Sequence, residues 1–135
     1  MTQGYTEPLF VISVAARLVA MHPQTLRKYE REGLIAPSRT TGNLRLYSDS
    51  DIERLRQVKY LVEERGLNLA GVQLALELTR RVRELRARHA GTGVQGAATG
   101  AGRDPATTLT IELNTVLKLL GFVDEREVRA RRDDR

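Results

Sequence analysis

A chain of 135 residues without cysteine excludes a thiolate metal site, a disulfide framework and a cysteine nucleophile. With 4% aromatics and no tryptophan, it also lacks the material for a base-stacking platform. The length fits one compact domain or a small domain with an arm, and 22 Lys and Arg against 17 Asp and Glu give a net charge of +5, which leans toward a polyanionic partner.

Residues 1–8 are polar and read as an arm. Residues 9–16 are mostly apolar, but no basic segment precedes them and Arg17 follows, so no export signal is expected. No apolar run approaches the roughly 18 residues of a membrane span, so a soluble, cytoplasmic protein is expected. Phe10 and Ile12 alternate with Val11 and Ser13, which allows a short extended lead-in. Ser13 suits the N-cap of a helix over residues 14–20, with Val14, Leu18 and Val19 available for burial.

A turn at Met21-His22 leads to Pro23-Gln24-Thr25-Leu26-Arg27-Lys28-Tyr29-Glu30-Arg31-Glu32-Gly33. Pro23 suits the first helical position and Gly33 the left-handed residue past the end. Two short helices joined by a tight turn form a helix-turn-helix pattern. Leu26 and Tyr29 share a buried stripe, leaving Gln24, Arg27, Lys28 and Arg31 on other faces. Gln and Arg can each make paired hydrogen bonds to base edges in the major groove. Arg27 has an alternative in a surface pair with Glu30, and Tyr29 is either a core aromatic or a hydroxyl on a phosphate.

After the break at Ala36-Pro37, Gly42-Asn43 marks a turn between two short strands. Alternation puts Arg45 and Tyr47 on one face and Leu44 and Leu46 on the other. A hairpin carrying Arg39 and Arg45 beside a helix-turn-helix is a winged helix, whose wing would grip the sugar-phosphate backbone or enter the minor groove. Ser48 to Asp51 supply a cap and acidic first-turn residues for a helix carrying Ile52, Leu55, Val58, Leu61 and Val62, ended by Gly66. Asn68 can cap the next helix. Its Leu74, Leu78, Val82 and Leu85 are spaced four, four and three, a stripe that reaches beyond a small core and needs a partner. The arginines on its other faces read as solvated.

Residues 90–106 are a Gly/Ala/Thr-rich stretch expected to be a flexible linker. Residues 109–122 are apolar again. They read either as a helix folded back on the first domain or as an extended segment suited to a chaperone groove. The mixed charges of residues 124–135 read as a frayed tail. Catalysis has no constellation to support it: the serines have no accompanying His, and no phosphate-binding glycine loop is present. His22 and His89 lack the companions of a metal site, so no metal and no cofactor are expected.

The set Thr25-Leu26-Arg27-Lys28-Tyr29-Glu30, Gly33-Leu34-Ile35, Pro37, Arg39, Arg45-Leu46-Tyr47, Asp51-Ile52 and Leu55 resembles the DNA-binding domain of MerR-family regulators. Ile12-Ser13-Val14-Ala15-Ala16, Met21-His22-Pro23-Gln24, Arg56-Gln57-Val58 and Gly66-Leu67-Asn68-Leu69-Ala70-Gly71-Val72 are most similar to the heat-shock repressors within it. The resemblance covers about residues 10–80. It implies a dimer that binds an inverted repeat and represses chaperone operons, with the chaperone DnaK as co-repressor. Arg27, Lys28 and Tyr29 fall where the family places Arg-Tyr-Tyr on the recognition helix, so Lys28 replaces the first Tyr. Arg39, Arg45 and Tyr47 fall on wing positions. Asn43-Leu44 departs from the aromatic that many members place before the wing arginine.

The expected fold is therefore mainly α. A MerR-type winged helix-turn-helix spans 8–66 and a dimerisation helix 67–89. A linker covers 90–106, and an apolar segment with a charged tail covers 107–135. The expected DNA contacts are Gln24, Thr25, Arg27, Lys28, Tyr29, Arg39, Arg45 and Tyr47. Dimerisation is expected through Leu74, Leu78, Val82 and Leu85. The expected function is that of a sequence-specific repressor of heat-shock genes. The alternatives are a ligand-responsive regulator of the same family and an excisionase-like DNA-bending protein. The first would need an effector domain, and the second usually lacks a long dimerisation helix.

Overall fold

The computed structural model describes residues 6–92 and 104–123. Among them, there are five helices and a small three-stranded sheet. Strand β1 (Pro8–Val11) passes directly into α1 (Ile12–Leu18), and α2 (Pro23–Arg31) follows a tight turn. Strands β2 (Ser38–Arg39) and β3 (Arg45–Ser48) form the hairpin, which leads into α3 (Asp49–Glu63) and α4 (Leu69–Thr92). Helix α5 (Pro105–Leu119) packs against α4. The fold is mainly α with a winged helix-turn-helix. No described helix is long and apolar enough to cross a membrane.

The sheet has the order β1-β3-β2, with both pairs antiparallel. The lead-in is thus a true strand that includes Pro8, and it pairs Phe10 with Tyr47 and Val11 with Leu46. This pairing explains why Ser13 is not a cap. The strand runs straight into the helix, so α1 begins two residues earlier, with Val11 at the N-cap and no side-chain cap bond. The buried stripe becomes Ala15, Ala16 and Val19, while Val14 and Leu18 face outward.

The turn between these helices carries local strain. Ala20 has φ +54°, a left-handed conformation that costs a non-glycine residue about 1–2 kcal/mol. Lys59 of α3 holds it: its Nζ donates to the carbonyls of Val19 and Ala20, both at 3.2 Å. These contacts also satisfy carbonyls that the end of α1 leaves open.

The core joins α1, α2, β3, α3 and the start of α4 through Leu26, Leu34, Tyr47, Leu55, Val58, Leu61 and Val72. Burying each such leucine contributes about 2 kcal/mol. Ser48 and Asp51 form a reciprocal capping box at the start of α3, with bonds of 3.1 and 2.9 Å. Asn68 Oδ1 accepts the Gly71 N–H at 2.9 Å and caps α4.

The apolar segment after residue 104 forms a helix, and the folded-back reading describes it. Asp104 caps that helix and Pro105 occupies its first turn, so both residues belong to the start of α5. Leu113, Leu117 and Phe122 are buried, and the Arg83 guanidinium lies 4.5 Å from the Phe122 ring centroid. The buried Gln57 amide joins three helices, donating to Thr79 Oγ1 at 2.7 Å and to the Leu120 carbonyl at 3.0 Å. The expected linker lies mostly, and the charged tail wholly, outside the described residues.

Candidate nucleic-acid interface

Helix α2 is built as its punctuation implies. Pro23 opens it, the His22 ring nitrogen Nδ1 accepts the Gln24 N–H at 3.0 Å, and Gly33 closes it at φ +77°. The Leu34 N–H returns to the Tyr29 carbonyl at 2.9 Å, which completes the helix end. Leu26 and Tyr29 lock one side into the core. At 100° per residue, Gln24, Lys28 and Arg31 then project from the opposite side, with Arg27 between that side and the wing. Gln24 and Lys28 are exposed, while Thr25 and Arg27 are half-buried.

Arg27 has no ion pair with Glu30. Glu30 faces the wing instead, where its Oε1 lies 2.6 Å from Arg39 Nη2 and its Oε2 lies 3.1 Å from Arg45 Nε. Burial alone would raise the Glu30 carboxyl, but hydrogen bonds from Arg45 and Arg39 and their charges outweigh it and hold the group below the ordinary carboxylate range. Among the described residues Lys28 makes only a long contact, with Glu32 at 3.9 Å. The wing arginines Arg39 and Arg45 are thus joined through Glu30 to α2, the helix that carries Arg27 and Lys28.

The hairpin turn places Asn43 at φ +63°. Its N–H donates to the Thr40 carbonyl at 2.9 Å, and the Thr40 N–H donates to the Leu44 carbonyl at 2.9 Å. Asparagine tolerates this left-handed position better than most side chains. The turn leaves Leu44 exposed at the tip.

Two expected contacts are corrected by burial. Tyr47 is 0% exposed, so its ring belongs to the core and its hydroxyl cannot reach a phosphate on the surface. Arg45 and Tyr47 do share a face, but that face turns inward toward α2, and only Arg45 lies at its rim. Tyr29 is also in the core. Burial raises its hydroxyl, as do the charges of Glu63 and Glu32. Tyr47 Oη has no protein hydrogen-bond partner among the described residues. Tyr47→Phe is therefore expected to leave DNA affinity unchanged and stability within about 1 kcal/mol of the parent, as titration and urea denaturation would check. A clear loss of affinity would return Tyr47 to the contact set.

The stripe on α4 has a separate address. Val72, Ala75, Leu76 and Thr79 face the core, whereas Leu74, Leu78 and Leu85 are 61%, 46% and 42% exposed. Val82 is half-buried at the edge of the stripe. The face that packs on α5 is different again: Arg86 donates to Asn114 Oδ1 at 3.1 Å, and the His89 ring lies 3.0 Å from the Ala106 carbonyl. Neither the core nor α5 covers these three leucines. Sequence reasoning did not find Glu30 as the joint between helix and wing, or Gln57 as a core residue. The only local signal was that each is a polar residue within a helix.

Comparison with known proteins bears on this arrangement. A family model described as MerR HTH family regulatory protein matches residues 10–79. A Streptomyces coelicolor protein named as heat shock protein HspR is 53% identical over 94 residues, covering 68% of this chain and 62% of that protein. The transcriptional regulator GlnR of Bacillus anthracis is 39% identical over 69 residues, covering 51% of this chain and 53% of its own. The transcriptional regulator MlrA of Escherichia coli K12 is 38% identical over 69 residues, covering 50% of this chain but 28% of its own. The chain thus spans less than two thirds of the length of each of these relatives.

Proposed function

The chain belongs to the MerR HTH family of regulatory proteins, and from that premise we propose that it is a cytoplasmic, dimeric repressor of heat-shock genes. It reads an inverted-repeat operator and uses the chaperone DnaK as co-repressor. The likeness to the Streptomyces HspR protein supports the heat-shock assignment, and relatives named as transcriptional regulators speak for regulation rather than catalysis.

The observation that carries the reading is Arg27, which among the described residues makes no ion pair and stands half-buried on α2, next to a wing bearing two arginines. Net positive charge draws the protein to DNA. Gln24, Thr25, Arg27 and Lys28 enter the major groove, and Arg39 and Arg45 hold the flanking backbone. Two such units related by a two-fold axis require a symmetric site, and the open leucine stripe of α4 is the surface that joins them.

These roles predict different failures. Arg27→Ala should cost about 1–3 kcal/mol of specific binding and relax selection at one base position in each half-site. Arg45→Ala should weaken binding to all sequences alike and make the salt dependence shallower by about one unit. Titration against a panel of single-base variants at several salt concentrations separates the two patterns.

A ligand-responsive regulator is the second reading, favoured by an open groove of about 390 Å³ between α3 and α4. Its cations are already engaged. Arg54 donates to the Leu34 carbonyl at 2.6 Å, Arg80 pairs with Glu77 and Glu84, and Arg83 covers Phe122. The repressor reading is tested by titrating operator DNA with the full chain, with and without DnaK. Tenfold tighter binding requires DnaK to prefer the DNA-bound form by about 1.4 kcal/mol. Unchanged affinity would remove DnaK from the mechanism.

A further inference from the structure

We infer that Glu30 is a positioning residue for DNA binding, one carboxylate that holds the two wing arginines side by side and ties the wing to the recognition helix. The inference rests on the DNA-binding reading and adds to it a residue that need not touch DNA.

The register of the hairpin creates the need. Arg39 and Arg45 are direct cross-strand partners, and like charges placed opposite one another on a two-stranded pair repel. A strand this short, only two residues for β2, has few ladder bonds with which to resist that repulsion. Glu30 removes it. Each carboxylate oxygen takes one arginine, at 2.6 Å for Arg39 and 3.1 Å for Arg45. Arg39 is fixed further by Nη1, which donates to the Asn43 carbonyl at 3.2 Å across the turn.

The geometry leaves donors to spare. Among the described residues Arg45 commits only its Nε, to Glu30, which leaves both of its terminal nitrogens available to a phosphate. Guanidinium forks held in a fixed orientation lose less freedom on binding than free ones. The acceptor also lies on the same helix as Arg27 and Lys28, one turn or less away. A shift of the wing relative to the base-reading residues would therefore break the ion pairs. Glu30 sets the distance between the backbone grip and the base contacts, a distance that matters only on the correct site.

A rival physical account gives the opposite sign. If Glu30 were merely a counterion that phosphate must displace, removing its charge would free both arginines and tighten binding to any DNA.

The test is Glu30→Gln in the full chain, with Glu30→Asp as a second variant that keeps the charge but shortens its reach. The probes are an inverted-repeat duplex selected with the unaltered protein and a random-sequence duplex of equal length, each titrated at several salt concentrations. Positioning predicts that both variants lose about tenfold on the selected duplex, the equivalent of one charge-assisted hydrogen bond, and change less than about twofold on the random duplex. The preference between duplexes falls, a readout that a general loss of stability would not produce. Tighter binding of Glu30→Gln to both duplexes would overturn the proposal in favour of the counterion account. Equal binding of parent and variants would overturn it outright. Failure of the parent to prefer any duplex would remove the DNA-binding reading itself, and the role of Glu30 with it.

Discussion

Replacing Leu78 and Leu85 by glutamate is expected to give a folded monomer whose affinity for an inverted repeat falls about 100-fold or more. Both side chains are already exposed by more than two fifths within the single chain, so the charges cost little in the folded monomer. At a joint between two copies, the same charges would be buried without partners, at a cost of several kcal/mol. Loss of the joint converts one bivalent binding event into two separate ones, and linkage of two sites is worth about 10²–10⁴ in affinity. Sedimentation analysis and operator titration of the same variant check both halves. A dimer that persists would place the interface elsewhere.

The second large effect is expected at Gly121→Val, far from DNA. Gly121 has φ +78°, and a Cβ added there would overlap Tyr60 Cδ1 on α3. Left-handed strain of about 1–2 kcal/mol and overpacking of about 1–3 kcal/mol together predict a loss of about 2–5 kcal/mol in the docking of the end of α5. Hydrogen exchange should report the loss as reduced protection over residues 113–122, where the Phe122 N–H normally bonds the Leu117 carbonyl at 2.9 Å. Urea denaturation should show a lower midpoint or a separate early transition. Unchanged protection would mean that Tyr60 can move aside at little cost.

Much of the fold was legible because its signals are local. Pro23 and Gly33 bracket α2, the Ser48-Asp51 box starts α3, and Gly42-Asn43 turns the hairpin. Each is a bond or a backbone angle satisfied within a few residues. The start of α1 is not legible locally because its cause is distant: β1 pairs with β3, some forty residues away, and that pairing overrides the capping preference of Ser13. Asp104-Pro105 carries a helix-start signal, but the small residues before it dominate the composition and hide it.

Within the candidate site, residue types were easier to read than directions. Alternation put Arg45 and Tyr47 on the same face, but a period of two cannot say which face meets the core. Packing of β3 against α2 decides it, and buries Tyr47. Glu30 shows the same limit. Its spacing from Arg27 suggested a helical pair, whereas its partners lie nine and fifteen residues along the chain. Gln57 is a polar residue on an otherwise apolar stripe, and only the meeting of α3, α4 and the end of α5 gives its amide two acceptors.

The most direct test of the account is selection of binding sites by the purified full chain from a pool of random duplex DNA. The account predicts enrichment of one inverted repeat, with both half-sites read by the same residues and selection relaxed at matching positions in the two halves by Arg27→Ala. A pool that emerges without a shared sequence, or with a single asymmetric site indifferent to Arg27, would contradict it.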